Sequence, residues 1–149
     1  MYGAIILIHI LSATIWTGGH LVLAITVLPK TLKERNYSYL LRFEAGYEKI
    51  GMPSLVVQIL TGIWLAYRFV PDLSQWFNFD NPVSKLISIK LFLLAVTFAL
   101  AADARLRVIP KLSEKNLNSL AWHIISVTIV SVLFVVVGVS FRTGWLFLI

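Results

Sequence analysis

Two histidines near the start of the chain are the first residues whose type and spacing could do chemistry. His9 and His20 lie in an uncharged run from Tyr2 to Leu28, which is long enough to cross a bilayer as one helix. On a straight helix they differ by only about 20° in direction and about 16 Å in height. Ionisable groups inside a membrane are costly, and the default interpretation of such groups is functional.

The composition indicates the class of protein. The chain has 149 residues, of which 58% are hydrophobic and 13% charged, and its mean hydropathy is +0.84. These values predict an all-α integral membrane protein with a single domain over residues 1–149. The chain has no cysteine, which excludes disulfides, thiolate zinc sites and iron–sulfur clusters. The net charge of +6 is explained by basic loops, not by nucleic-acid binding.

The hydrophobic runs predict an antiparallel bundle of four membrane-spanning helices. They cover about residues 3–28, 50–69, 84–102 and 117–141. The polar segments 30–49 and 103–116 are expected to be loops at one end of the bundle. At the other end, the segment 71–82 is rich in aromatic and turn residues and is expected to lie in the membrane interface.

Basic residues predict the orientation of the bundle. Those assigned to one end are Lys30, Lys33, Arg35, Arg42, Lys49, Arg105, Arg107, Lys111 and Lys115. Those assigned to the other end are Arg68, Lys85 and Arg142. The positive-inside rule then predicts that the first and third loops are cytoplasmic and that both termini lie outside. The expected location is a bacterial-type inner (plasma) membrane, which the protein crosses several times.

This topology places polar groups in pairs at matching depths. His20 lies about 12 Å and His123 about 9 Å from the cytoplasmic surface, at 1.5 Å per helical residue. His9 and Lys90 are matched in the same way near the outer surface. The sequence therefore predicts an inner and an outer polar cluster.

Two histidines at one depth on different helices are typical axial ligands of a b-type haem. We predict that His20 and His123 bind the iron, and that the glycines beside His20 leave room for the porphyrin. The residues assigned to the cofactor are His9, Trp16, Gly18, Gly19, Lys90 and Trp122, and the candidate metal ligands are His20, His123 and His9.

The haem hypothesis implies electron transfer or quinone-linked redox chemistry, so the protein would be a membrane oxidoreductase. Its expected partners are the lipid bilayer, haem, a quinone or a redox protein, and a second copy of the chain in a homo-oligomer.

Simpler and rival interpretations stand beside this one. Each histidine can merely hydrogen-bond a backbone carbonyl or a hydroxyl group of a neighbouring helix. Lys90 can extend its ammonium group to the outer surface instead of pairing with a propionate or an anionic substrate. Copper is the other candidate metal, because imidazole with Met52 can hold Cu(I), although two methionines and no cysteine are few soft ligands.

Several short motifs resemble a known family over nearly the whole chain. They are His9-x6-Trp16-x-Gly18-Gly19, Gly51-Met52-Pro53, Thr61-Gly62-Ile63-Trp64, Ile89-Lys90-Leu91 and Arg105-Leu-Arg-Val-Ile-Pro110. The motifs resemble the membrane domain of copper-resistance D (CopD) proteins, which implies copper transport or tolerance.

The same pattern is similar to that of HemJ-type protoporphyrinogen oxidase, a related four-helix family that binds haem b. That resemblance implies functional roles for His9 and Lys90 and, as a further alternative, protoporphyrinogen IX oxidation. His20 and His123 depart from the oxidase pattern.

Overall fold

All four apolar runs form helices in the computed structural model, which describes residues 1–111, 113 and 116–148. The main helices are α1 (Tyr2–Val22), α3 (Tyr37–Phe69), α4 (Pro82–Asp103) and α5 (Leu117–Thr143), and the short α2 (Leu28–Glu34) continues the direction of α1. Within these described residues, four helices are long and apolar enough to cross a membrane. The predicted all-α membrane bundle is therefore confirmed. Lys115, one of the basic residues used for the orientation, lies outside the described residues.

The first helix passes through Pro29 instead of ending before it. A π-helical turn (Leu23–Val27) separates α1 from α2. Proline has no backbone N–H and its ring crowds the carbonyl four residues earlier, here that of Ile25, so the wider turn around Ile25 accommodates it. The helix ends only at Arg35, which takes the left-handed conformation with φ 49°.

The prediction of a loop over residues 30–49 is wrong, because α3 already begins at Tyr37. The Asn36 side chain caps this helix by accepting a hydrogen bond from the Tyr39 N–H at 3.3 Å. Apolar side chains that lie between the polar residues of this segment form a buried stripe along one side of the helix. Leu40, for example, is fully buried in a cluster that also contains Leu23, Val27, Leu28, Val108, Leu120, Ala121 and Ile124. That stripe extends the packed core beyond the apolar runs.

In the bundle, α1 packs between α3 and α5, and α5 also packs against α4. Two hydrogen bonds fix the register of α1 against α5. Thr17 Oγ1 donates to the Ser131 carbonyl at 3.3 Å, and Thr128 Oγ1 shares its one proton between the Ile124 carbonyl at 2.7 Å and the His20 carbonyl at 3.2 Å. Thr17 therefore lies level with Ser131, and His20 lies level with Thr128.

We name the two ends of the bundle by their residues. The basic end carries Lys30, Lys33, Arg35, Arg42 and Lys49, and the aromatic end carries Tyr2, Trp64 and the connection between α3 and α4. In that connection the Trp76 indole is buried and donates to the Val70 carbonyl at 2.8 Å, while Phe77 and Phe79 face outward.

The outer surface of the helices is apolar, as contact with lipid requires. Leu60, Phe92 and Trp122 are 64%, 67% and 70% exposed, and many other large apolar side chains also face outward. Monomeric soluble proteins rarely expose such a surface.

Candidate functional site

His9 is held by the helix opposite it. Its Nδ1 lies 2.8 Å from Thr61 Oγ1, and the Thr61 hydroxyl donates its own proton to the Val57 carbonyl at 2.7 Å. The Thr61 oxygen must therefore accept, so we assign the ring proton of His9 to Nδ1. Nε2 then carries a lone pair for which the described part of the chain offers no donor, because the Gln58 carbonyl near the ring can only accept. Gly62 allows this approach, because a Cβ there would lie 3.3 Å from His9 Cε1.

His20 has the same hydrogen-bonding pattern, with a different partner. Its Nδ1 lies 2.9 Å from the Trp16 carbonyl, which can only accept, so Nδ1 again carries the proton. Its Nε2 has no hydrogen-bond partner among residues 1–111, 113 and 116–148. The Trp16 ring packs against the imidazole, with ring centroids 4.4 Å apart, and His20 is buried. Each histidine of α1 thus has one fixed and one available nitrogen.

Tyr47 of α3 fills the space that was predicted for the edge of a porphyrin. Its ring lies where a Cβ on Gly19 would overlap it, and a Cβ on Gly51 would approach it to 2.9 Å. Its hydroxyl donates to the Trp16 carbonyl at 2.8 Å. Gly19 therefore accommodates a tyrosine of the neighbouring helix in this structure. Gly18, in contrast, has no heavy atom of the described residues within 4 Å of its Cβ position.

His123 is not brought together with His20. Its Nδ1 donates to the Ser119 carbonyl at 2.8 Å, and its Nε2 lies 2.7 Å from Asp103 Oδ2, so both ring nitrogens are engaged. His20 is level with Thr128, five residues along α5 from His123, which corresponds to about 7.5 Å.

The predicted match in depth is therefore wrong, and both nitrogens of His123 already have partners. Trp122, which was assigned to the border of the cofactor, faces outward. Ligation by His20 and His123 stays a prediction.

Lys90 lies on the inner side of α4 at the depth of His9. Its Nζ is 3.4 Å from the Cβ position of Gly138 and 5.4 Å from the centroid of the Phe141 ring. Gly138 is ten residues from Thr128 on α5, which places Lys90 near the level of His9 on α1. Among the described residues no carboxylate forms an ion pair with Lys90.

The basic end holds two sets of charged side chains that form ion pairs. Arg105 pairs with Glu48 at 2.5 Å, and both side chains are exposed. Asp103 pairs with His123 and with Arg107. In the part of the chain that the structure describes, no three His, Asp or Glu side chains converge as a metal site.

Sequence reasoning missed two residues that position the histidines. Tyr47 fell in the segment taken as a loop, so its contact with α1 could not be foreseen. Thr61 and Gly62 belong to one of the family motifs, and the structure shows a physical role for each of them. The hydroxyl accepts from an imidazole, and the glycine lets that imidazole approach.

Comparison with known protein families assigns the chain to a family. The family model described as Copper resistance protein D (CopD) matches residues 41–141, which is more than half of the chain. The match includes Tyr47, Lys90 and His123, whereas His9 and His20 precede it. No curated protein and no solved structure matches the chain.

Proposed function

Because the chain belongs to the copper resistance protein D (CopD) family, we propose that it contributes to copper tolerance by binding copper inside the membrane and passing it across. One observation carries this proposal. His9 and His20 stand on one helix, each with Nδ1–H donated to a fixed oxygen and Nε2 unpaired among the described residues. Histidines that bind metals almost always donate the other ring N–H in this way.

The available ligands favour imidazole coordination of copper. Imidazole nitrogen is a good ligand for copper, and the chain has no cysteine. Met52 is about half exposed, so its side chain is not enclosed with either histidine. A copper ion with so few protein ligands is held loosely, which favours passage over storage. The two histidines then act as successive binding positions about 16 Å apart along α1.

The direction of passage depends on orientation. We propose that the basic end is cytoplasmic and that both termini lie outside the plasma membrane, since basic loops stay on the cytoplasmic side. A reporter domain fused after Lys33 is expected to be active only as a cytoplasmic reporter, and one fused after Ser74 only as an external one. Alkaline phosphatase and green fluorescent protein fusions measure this directly. The opposite pattern would reverse the assignment of the two ends.

Haem b is a second candidate, favoured by the Lys90 ammonium group at the depth of His9. In that case His9 Nε2 would hold the iron and Lys90 would pair with a propionate, while the bound haem would supply one-electron chemistry. Quinone-linked redox chemistry and protoporphyrinogen oxidation both belong to this candidate. The visible spectrum of the purified protein separates the candidates. The copper proposal predicts no Soret band, whereas an intense one would favour haem.

The hydrogen bond from His9 to Thr61 provides a selective test of the copper proposal. Thr61→Val removes the oxygen that orients the imidazole, so we expect the Cu(I) affinity at His9 to fall about 10- to 100-fold, with helix content unchanged. The matched control is Thr97→Val, because Thr97 is buried and donates only to its own helix, at Leu93. Competition with a chromogenic Cu(I) chelator measures both variants. Equal affinities for the two variants would contradict the role given to Thr61.

A further inference from the structure

A groove opens on α3 at the basic end of the bundle. It has a volume of about 360 Å³ and is lined by Arg42, Phe43, Gly46, Tyr47 and Ile50. Positions four residues apart lie on one stripe of a helix, so Arg42, Gly46 and Ile50 form its floor. No heavy atom of the described residues lies within 4 Å of the Cβ position of Gly46. The centre of the groove is therefore an open notch beside Tyr47.

Tyr47 separates this groove from His20. Tyr47 lines the groove, and its ring also contacts His20 edge-on, with centroids 5.5 Å apart. His20 is not among the groove residues and is buried. We propose that the groove is the entrance to His20 and that the Tyr47 ring is its movable wall. This inference rests on the proposed function, because it gives the copper position at His20 a route to the basic end.

The packing of Tyr47 is consistent with a wall that moves. The ring sits against two glycines, Gly19 and Gly51, which offer it no side chain to interlock with. Its hydroxyl donates to the Trp16 carbonyl, which also accepts from His20 Nδ1. Phe43 stacks against the ring with centroids 6.3 Å apart. When the ring leaves the glycines, the open notch at Gly46 gives it room, and His20 keeps its bond to Trp16.

The charge of the groove indicates the form in which copper arrives. Arg42 is the ionised residue that lines the groove, and the nearby Glu48 is paired with Arg105, so the lining favours an anion over free Cu(I). Cu(I) is a soft ion that binds thiolates, and a complex with two thiolates carries a negative charge. An anionic Cu(I)–thiolate complex therefore fits the groove better than the bare ion.

Cysteine labelling tests the route without using copper, because the native chain has no cysteine. We would place one cysteine in the full-length protein, as His20→Cys or Gly46→Cys, in membrane vesicles of both orientations. The probes are an anionic and a cationic membrane-impermeant methanethiosulfonate. Gly46→Cys should react quickly from one side only, and faster with the anionic probe. His20→Cys should react slowly from that same side.

Removing the Tyr47 ring should raise the labelling rate of His20→Cys and leave the labelling of the control variants unchanged. In the Tyr47→Ala background, His20→Cys should react at least tenfold faster, whereas Tyr47→Phe keeps the ring and should keep the slow rate. His9→Cys should stay unreactive in the Tyr47→Ala background, which shows that the bundle remains intact. Gly19→Ala, which displaces the ring, should also accelerate the reaction.

The proposal is overturned if Tyr47→Ala leaves the His20→Cys rate unchanged, or if that cysteine reacts as fast as Gly46→Cys while Tyr47 is present. It is also overturned if His9→Cys becomes reactive together with His20→Cys, since that result reports a loosened bundle. The labelling rates do not depend on copper binding. They can therefore contradict the route past Tyr47 while the copper function holds, and copper-binding measurements can contradict the copper function while the route holds.

Discussion

The double variant His9→Ala/His20→Ala should lower the Cu(I) affinity of the purified protein at least a hundredfold. Both available imidazole nitrogens of α1 are lost, and the chain has no cysteine to replace them. Each single variant should remove one binding position and leave the other. Chelator competition gives the affinity, and copper analysis after gel filtration gives the stoichiometry.

The matched control is His123→Ala. Both nitrogens of His123 are engaged, one with Ser119 and one with Asp103, so its removal should leave copper binding unchanged. The variant should lose some thermal stability, because Asp103 loses one of its two partners. If His123→Ala lost as much copper as the double variant, His123 itself would be a copper ligand, which would contradict this account.

Replacing Lys90 by methionine should strengthen copper binding at His9. The ammonium group lies at the depth of His9 and interacts with it electrostatically, so it repels a bound cation. Two like unit charges inside the bundle repel each other, and a repulsion of about 1.4 kcal/mol is enough to change the affinity tenfold. We therefore expect Lys90→Met to bind Cu(I) about tenfold more tightly and to release it more slowly.

Lys90→Arg, which keeps the charge, is the control and should bind copper as the native protein does. The sign of the effect separates the two candidate functions. If Lys90 pairs with a propionate or another anion, Lys90→Met should instead weaken retention of that ligand. Weaker binding in Lys90→Met would therefore count against the copper proposal and in favour of the anionic ligand.

The sequence predicted the helical bundle because its signal is strong and local. Four apolar runs of membrane length admit one arrangement of the backbone, since each carbonyl and N–H must be satisfied within its own helix. The helix ends were harder to predict. The buried stripe of Leu28 and Leu40 is interrupted by charged residues, and a proline at position 29 normally ends a helix. The π-helical turn before it appears only in the structure.

The candidate site was predictable in part. The depths of His9 and Lys90 follow from counting residues within their helices, and the structure places the two at one level. The relative depth of His20 and His123 was harder to predict, because counting from a surface requires the helix ends, and α3 begins inside the segment predicted as a loop. The role of Tyr47 depends on how α3 rotates against α1, and a single sequence does not contain that rotation.

X-ray absorption at the copper edge of the Cu(I)-loaded protein tests the central claim most directly. The account predicts a first shell containing nitrogen, with the multiple scattering of imidazole rings, and the loss of that imidazole signal in His9→Ala/His20→Ala. A shell of sulfur alone or oxygen alone would contradict it. So would a protein that retains no copper and shows the Soret band of haem in its visible spectrum.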